Sequence, residues 1–249
     1  MKFDSYIVSE TRTAFSVPLT QEIPIKKSFK QKAFTLAETL ITLSIIGVIA
    51  AMTVPTLMTN INNQQHITAL KKAYSNLSNA IKLFPMEIGC GTDFECAYNT
   101  SANFDSEIFM NNLSKQFKTI QYTKINNTQS SQKTNQFQTT DGITYSYWDG
   151  GYCKLGIIVD TNSDTKGPNI FGKDKHIFVI ADIPQKGFNA GTLFPLGSKS
   201  LNTYSYNYYT SWDTINDWSS EAQRETIPTK AYLTGKVLET GKIDEADYK

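Results

Sequence analysis

An uncharged apolar run from Leu40 to Met58 constrains this chain more than any other feature of its 249 residues. It reaches the roughly 20 residues that a helix needs to cross a bilayer. Pro55, near its end, is expected to bend the helix, because proline removes one amide donor and crowds the preceding turn. A lysine cluster precedes the run, and the positive-inside rule places the N-terminus in the cytoplasm and the rest of the chain outside. The cluster consists of Lys26, Lys27, Lys30 and Lys32.

Glu38 is the only charged residue between Lys32 and Lys71, and it stands at the start of the apolar run. A carboxylate inside a bilayer is costly, so one placed here is expected to have a partner and a function. A secretory signal peptide is one alternative, but it has a shorter apolar core and a small-residue cleavage site after it. No such site follows cleanly here. A plain signal anchor is the other alternative, and it would have no use for Glu38.

The segment KAFTLAETLITLSIIGVIAAMTVP resembles the N-terminus of type IV pilins and of the pseudopilins of type II secretion. The shared pattern is a basic leader, a small residue, Phe-Thr-Leu-x-Glu, and an apolar helix with a later proline. The resemblance implies that a prepilin peptidase cleaves between Ala33 and Phe34 and methylates the new amine of Phe34. Glu38 then becomes the fifth residue of the mature chain. In the family this residue pairs with the terminal amine of a neighbouring subunit during assembly.

The same resemblance implies three segments: a cleaved leader over residues 1–33, a transmembrane and filament-core helix over 34–58, and a periplasmic or extracellular globular domain over 59–249. Ala33 stands where the family usually has glycine, and the leader is long. Cleavage would leave 249 − 33 = 216 residues and would remove six Lys/Arg and three Asp/Glu, changing the formal charge from +1 to −2. No strong basic field would remain to attract nucleic acid, so no nucleic-acid partner is predicted.

Helical periodicity continues beyond the membrane run. Apolar residues recur every three or four positions, which is typical of a helix with one buried face. Pro85 and Gly89 are then expected to end the helix. We therefore predict one helix from Phe34 to Phe84, about 75 Å long at 1.5 Å per residue. The apolar face consists of Ile67, Leu70, Tyr74, Leu77, Ile81 and Phe84.

The second half of the chain has the character of a sheet. Runs of β-branched and aromatic residues at 143–148, 155–159 and 176–180 are bounded by Gly, Asp and Asn, and they predict antiparallel strands. A short amphipathic helix is expected at 104–117, and residues 185–249 are expected to be irregular, with an exposed charged tail. The predicted fold class is α+β, with the long N-terminal helix packed on an antiparallel sheet. This is also the fold that the pilin resemblance implies.

Oxygen-bearing side chains alternate after the second predicted strand, at Asp160, Asn162 and Asp164, and Asp174 follows further on. Ca²⁺ prefers such ligands, and the spacing resembles the start of an EF-hand loop. The glycine falls two positions late, however, and Phe171 stands where an EF-hand has glutamate. By resemblance, some pseudopilins hold calcium in a loop between late strands. The alternative is an Asx-rich turn without metal. No cofactor is required for the predicted function, and Ca²⁺ is the one candidate.

Three cysteines, Cys90, Cys96 and Cys153, follow the anchor on the side that is expected to be oxidising, which favours a disulfide. Cys90 and Cys96 flank a glycine-containing loop and are the tentative pair, although pairing with Cys153 stays open. Neither His66 nor His176 lies near a serine or cysteine motif, and no common hydrolase or nucleotide-binding motif occurs. The chain is therefore predicted not to be an enzyme.

The sequence thus predicts a pilin-like or pseudopilin subunit, assembled into a type IV pilus or a type II secretion pseudopilus. Its partners would be copies of itself, other pilin-like subunits, prepilin peptidase and an inner-membrane assembly platform. It would cross the inner membrane once before assembly and then join a periplasmic or cell-surface filament. The alternative is a membrane-anchored extracytoplasmic binding protein that does not polymerise. Such a protein would use an aromatic-rich surface formed by Tyr204, Tyr206, Tyr208, Tyr209, Trp212 and Trp218.

Overall fold

The computed structural model describes residues 34–99, 105–124, 135–150, 153–163, 165–204, 227–228 and 230–248. The chain divides into two compact units, Met1–Ala50 and Ala51–Lys249. The helices are α1 (Leu36–Glu87), α2 (Phe94–Asn99), α3 (Ser106–Ser114), α4 (Lys199–Tyr204) and α5 (Leu233–Thr240), and a 3-10 turn follows at Glu245–Tyr248. The strands are β1 (Thr119–Lys124), β2 (Asn135–Thr139), β3 (Thr144–Gly150), β4 (Cys153–Asp160), β5 (Lys175–Ile180) and β6 (Leu193–Pro195).

The six described strands form one sheet in the order β1-β2-β3-β4-β5-β6, and every neighbouring pair is antiparallel. Each strand therefore pairs with the next one along the chain, as in a meander. Together with the long N-terminal helix, this sheet confirms the predicted α+β, pilin-like fold class.

Helix α1 confirms the predicted apolar face, but its C-terminal end differs from the prediction. Pro85 does not end the helix, which continues to Glu87. Pro85 is buried on the same face as Ile81 and Phe84, so packing offsets the lost amide donor. Gly89, with a φ of 83°, then turns the chain away. The other predicted positions of the apolar face are buried or half-buried in the second unit.

Both faces of the sheet are covered within the second unit. On one face, α1 and α3 pack over Phe137, Tyr145 and Phe178. On the other, Leu201 of α4 and Tyr232, which directly precedes α5, pack over Trp148 and Ile177. Burial on both faces explains why β4 and β5 read as nearly continuous apolar runs and not as alternating ones.

Three of the six described strands were not predicted from the sequence. The three predicted runs correspond to β3, β4 and β5, whereas β1, β2 and β6 were missed. β1 (TIQYTK) and β2 (NQFQT) are rich in amides and threonine, and β6 has three residues, too few to show a period. The predicted helix at 104–117 is the shorter α3, which begins after Asp105 because the side chain of Asp105 accepts from the Glu107 amide at 2.7 Å.

The C-terminal part is more ordered than expected. Residues 185–249 were predicted to be irregular, yet they include β6, α4 and α5. The tail was predicted to be exposed, and residues 239, 240, 242 and 244–246 are exposed. Two of its acidic residues nevertheless form contacts: Glu245 accepts from Lys173 at 2.9 Å, and Asp247 forms an ion pair with Lys236 at 2.6 Å. Charged residues can therefore anchor a tail when their partners come from distant segments. The predicted aromatic surface lies largely in 205–226, outside the described residues.

Candidate functional site

The residues of the predicted processing site lie at the N-terminal end of α1. Ala33 is outside the described residues, and Phe34 precedes the helix with its side chain exposed. The hydroxyl of Thr35 accepts from the Glu38 amide at 3.2 Å. In return, Glu38 Oε2 accepts from the Thr35 amide at 2.9 Å and from the Thr35 hydroxyl at 3.0 Å. This reciprocal pair is a capping box, which satisfies amide donors that the first turn of a helix leaves open.

The capping box gives Glu38 a local role that the sequence prediction overlooked, although the Thr-x-x-Glu spacing signals it. The carboxylate also lies at the positive end of the helix dipole, where an anion is favoured. Only Oε2 takes part in the cap, and within the described ranges Oε1 has no hydrogen-bond partner. Glu38 can therefore hold its own helix end and accept a donor from another molecule at the same time.

The first part of α1 presents an apolar surface that the described protein does not cover. Among the described residues, α1 is the one helix long and apolar enough to cross a membrane, with a mean hydropathy of 2.1 over an 18-residue window and none of that window buried. An apolar surface of this extent requires lipid or a protein partner. Its large exposed side chains are Leu40, Ile41, Leu43, Ile45, Ile46, Val48, Ile49, Met52, Val54, Leu57 and Met58.

The predicted calcium residues lie at the two ends of the loop between β4 and β5. Asp160 closes β4, and its Oδ1 accepts from the Asn162 amide at 3.1 Å. Asp174 is fully buried just before β5, with its two carboxylate oxygens on the amides of Ile170 (2.6 Å) and Asn169 (2.7 Å). Asp164 lies outside the described residues. The Asp160 contact is that of an Asx turn, whereas Asp174 accepts from amides that precede it in the loop.

This arrangement is a poor fit to a calcium cage in the part of the chain that the structure describes. Calcium needs six to eight oxygen ligands turned toward one point. Both oxygens of Asp174 are already engaged by backbone amides, and the Lys175 ammonium lies 3.7 Å from Asp160 Oδ2. Across the described ranges, no three His, Cys, Asp or Glu side chains are grouped to hold a metal ion.

The two histidines of the chain both contact or adjoin this loop. His66 Nδ1 lies 3.2 Å from the Thr161 hydroxyl, which in turn donates to the Asp174 carbonyl at 3.1 Å. Burial lowers the pKa of His66, and nearby Asp174 opposes that shift. His176 is fully buried at the start of β5. Burial lowers the pKa of His176 to about 3, and a Lys173 backbone group offsets only part of this. His66 thus links α1 to the loop, whereas His176 lies buried inside the fold.

We expect His176 to make the protein acid-sensitive. The unfolded chain takes up a proton at this residue below about pH 6.5, whereas the folded protein does so only near its pKa of about 3. Between these values the unfolded state binds more protons, so the free energy of unfolding falls as pH falls. One group with this shift lowers it by about 2 kcal/mol between pH 7 and pH 4.5.

Urea unfolding of the parent protein and of His176→Leu across this range measures the effect. The variant should show the flatter pH dependence, and parallel curves would contradict the expectation. His66→Gln serves as the comparison, because the half-buried His66 should contribute less.

Cys90 and Cys96 form a disulfide, with their Cα atoms 5.8 Å apart. The closed loop connects the end of α1 to α2. Asp93 caps α2 within that loop, since its Oδ1 accepts from the Glu95 amide at 2.9 Å and from the Cys96 amide at 3.2 Å. Cys153 lies in β4, and its side chain is outside the description. The disulfide thus supports the fold and takes no part in the N-terminal site.

Comparison with known proteins bears on the N-terminal site. A family model described as the prokaryotic N-terminal methylation motif matches residues 28–54. These residues include Lys30, Lys32, Ala33, Phe34, Glu38 and most of the apolar run. No curated protein and no solved structure matches the chain. The match confirms the prepilin-type cleavage motif, which is typical of precursors processed by a prepilin peptidase, and it indicates a structural subunit.

Proposed function

We propose that this chain is a pilin-like subunit that is cleaved between Ala33 and Phe34, methylated on the new Phe34 amine, and polymerised into a filament outside the inner membrane. One observation carries the proposal: the N-terminal methylation motif at residues 28–54 includes the start of α1, a helix whose apolar window is entirely unburied. Such a surface suits lipid before assembly and neighbouring helices after it. The filament is a type IV pilus or a type II secretion pseudopilus.

The two oxygens of Glu38 suggest how the subunits are held in register. Oε2 belongs to the capping box of its own helix, and Oε1 faces no donor among the described residues. Cleavage turns the backbone nitrogen of Phe34 into a cationic amine. A neighbouring subunit could then offer that amine to Oε1. In an apolar filament core, such a charge-assisted bond is stronger than in water, so processing and assembly are coupled.

The proposed partners follow from this arrangement: copies of the chain, other pilin-like subunits, the prepilin peptidase and the inner-membrane assembly platform. Before cleavage the chain would cross the inner membrane once, with the lysine cluster in the cytoplasm. After assembly the second unit would face outward. In this role the chain is the substrate of an enzyme and not itself a catalyst.

Mass spectrometry of the mature protein tests the proposal directly. We expect the N-terminal peptide to begin at Phe34 and to carry one methyl group on its amine. Filaments sheared from the cells should contain the same chain. A peptide with the leader intact, or one that begins after residue 50, would overturn the proposal. A correctly processed chain that is absent from every filament fraction would favour a membrane-anchored binding protein that does not polymerise.

A further inference from the structure

The loop between β4 and β5, together with its two flanking residues Asp160 and Lys175, has no net formal charge. Residues 160–175 contain three Asp and three Lys, so the formal charge of the segment is zero. Calcium loops instead depend on an excess of acidic ligands, because the ligand charge count sets their affinity. A divalent cation would have no net negative charge to neutralise in this loop.

Asp174 connects several parts of the loop through hydrogen bonds. Its oxygens accept from the amides of Asn169 and Ile170, and its backbone carbonyl accepts from the Thr161 amide at 2.8 Å. Asn162 adds a second cross-link, since its side-chain nitrogen donates to the Gly167 carbonyl at 3.0 Å. The loop thus closes on itself through protein groups that a metal would otherwise have to organise.

Lys175 supplies a positive charge inside the structure. It is the cross-strand partner of Asp160 in the β4–β5 register. Its ammonium lies 3.7 Å from Asp160 Oδ2, and the two side chains are only 13% and 3% exposed. A buried carboxylate is destabilising unless a counter-charge or hydrogen bonds compensate it. Lys175 provides that charge from the strand next to Asp160.

We propose that the Lys175 ammonium takes the place of a metal ion here: it is the internal counter-cation of Asp160, and the loop keeps its structure without Ca²⁺. On the outer side of the loop, Lys173 binds Glu245 at 2.9 Å and joins the loop to the C-terminal tail. This inference goes beyond the proposed filament function and does not depend on it.

Thermal unfolding of the full chain in detergent, with Ca²⁺ or with EGTA, tests the inference. We expect the parent protein to have the same Tm under both conditions. Lys175→Met should lower the Tm by on the order of 5 °C, because it leaves Asp160 buried without its counter-charge. Lys175→Arg should retain most of the parent Tm. Adding Asp160→Asn to Lys175→Met should recover part of the loss, since the buried carboxylate charge is then removed as well.

Lys166→Met is the matched control, because Lys166 is an exposed lysine of the same loop, and it should leave the Tm unchanged. A Ca²⁺-dependent rise in the Tm of the parent protein that Asp160→Asn abolishes would overturn the inference and establish a calcium site. An unchanged Tm for Lys175→Met would also overturn it. If Lys175→Met does not fold, the parent protein and Asp160→Asn, each measured with Ca²⁺ and with EGTA, still decide whether the loop depends on Ca²⁺.

Discussion

Glu38→Gln is expected to leave membrane insertion and leader cleavage intact while reducing filament yield at least about tenfold, the factor that corresponds to a modest loss of interaction free energy. Glutamine keeps an oxygen that can accept from Thr35, so the capping box survives. It lacks the negative charge that would pair with the Phe34 amine of a neighbouring subunit. The measurement compares sheared filaments with membrane-bound protein, and mass spectrometry verifies the Phe34 terminus.

Thr35→Val is the matched control for this prediction. It removes the hydroxyl that accepts from the Glu38 amide at 3.2 Å and so weakens the cap, but it leaves the carboxylate charge in place. We expect it to assemble. Glu38→Val should fail in assembly as Glu38→Gln does, because it lacks both the cap and the charge. Normal filaments from Glu38→Gln would show that Glu38 serves its own helix end alone, and the inter-subunit pairing would be refuted.

Gly235→Ala is expected to destabilise the second unit by about 3 kcal/mol, which lowers the Tm by on the order of 10 °C. Gly235 lies in the first turn of α5, and its amide donates to the Leu196 carbonyl at 2.8 Å. A β-carbon at this position would clash with the Ser198 amide nitrogen and would lie 2.5 Å from the carbonyl carbon of Gly197. These neighbours are backbone atoms that cannot rotate away, so α5 must shift away from the segment that follows β6.

The expected loss of stability is opposite in sign to the usual effect of this substitution in a helix. A glycine-to-alanine change inside a helix otherwise stabilises by about 1 kcal/mol, so stabilisation would contradict the expected close contact. Gly241→Ala at the end of the same helix is the control. Gly241 has a φ of 67°, and its nearest neighbour would be the Lys71 ammonium at 3.7 Å. Alanine there meets conformational strain alone and should cost only about 1 kcal/mol. Thermal unfolding of both variants separates packing from backbone strain.

Sequence patterns predicted secondary structure correctly where a single segment contains all the residues that define its periodicity. The apolar face of α1 and the runs of β4 and β5 follow from periodicity and burial, and they fit the structure to within a few residues at most ends. The same patterns did not predict the amide-rich β1 and β2, whose burial depends on neighbouring strands. Pro85 shows the same limit, because its local preference to end a helix yields to packing in the core. The capping box at Thr35 and Glu38 is encoded locally by the Thr-x-x-Glu spacing, and the same glutamate also satisfies the prepilin-type pattern.

The sequence alone determined the N-terminal site, because cleavage motif, acidic residue and apolar run lie within one continuous segment and need no folding to be brought together. Only the tertiary structure decided the character of the β4–β5 loop. Its supports join residues far apart in the chain: His66 meets Thr161 across 95 positions, and Lys173 binds Glu245 across 72. Whether an aspartate faces a backbone amide, a lysine or a metal depends on such contacts, and residue spacing does not encode them.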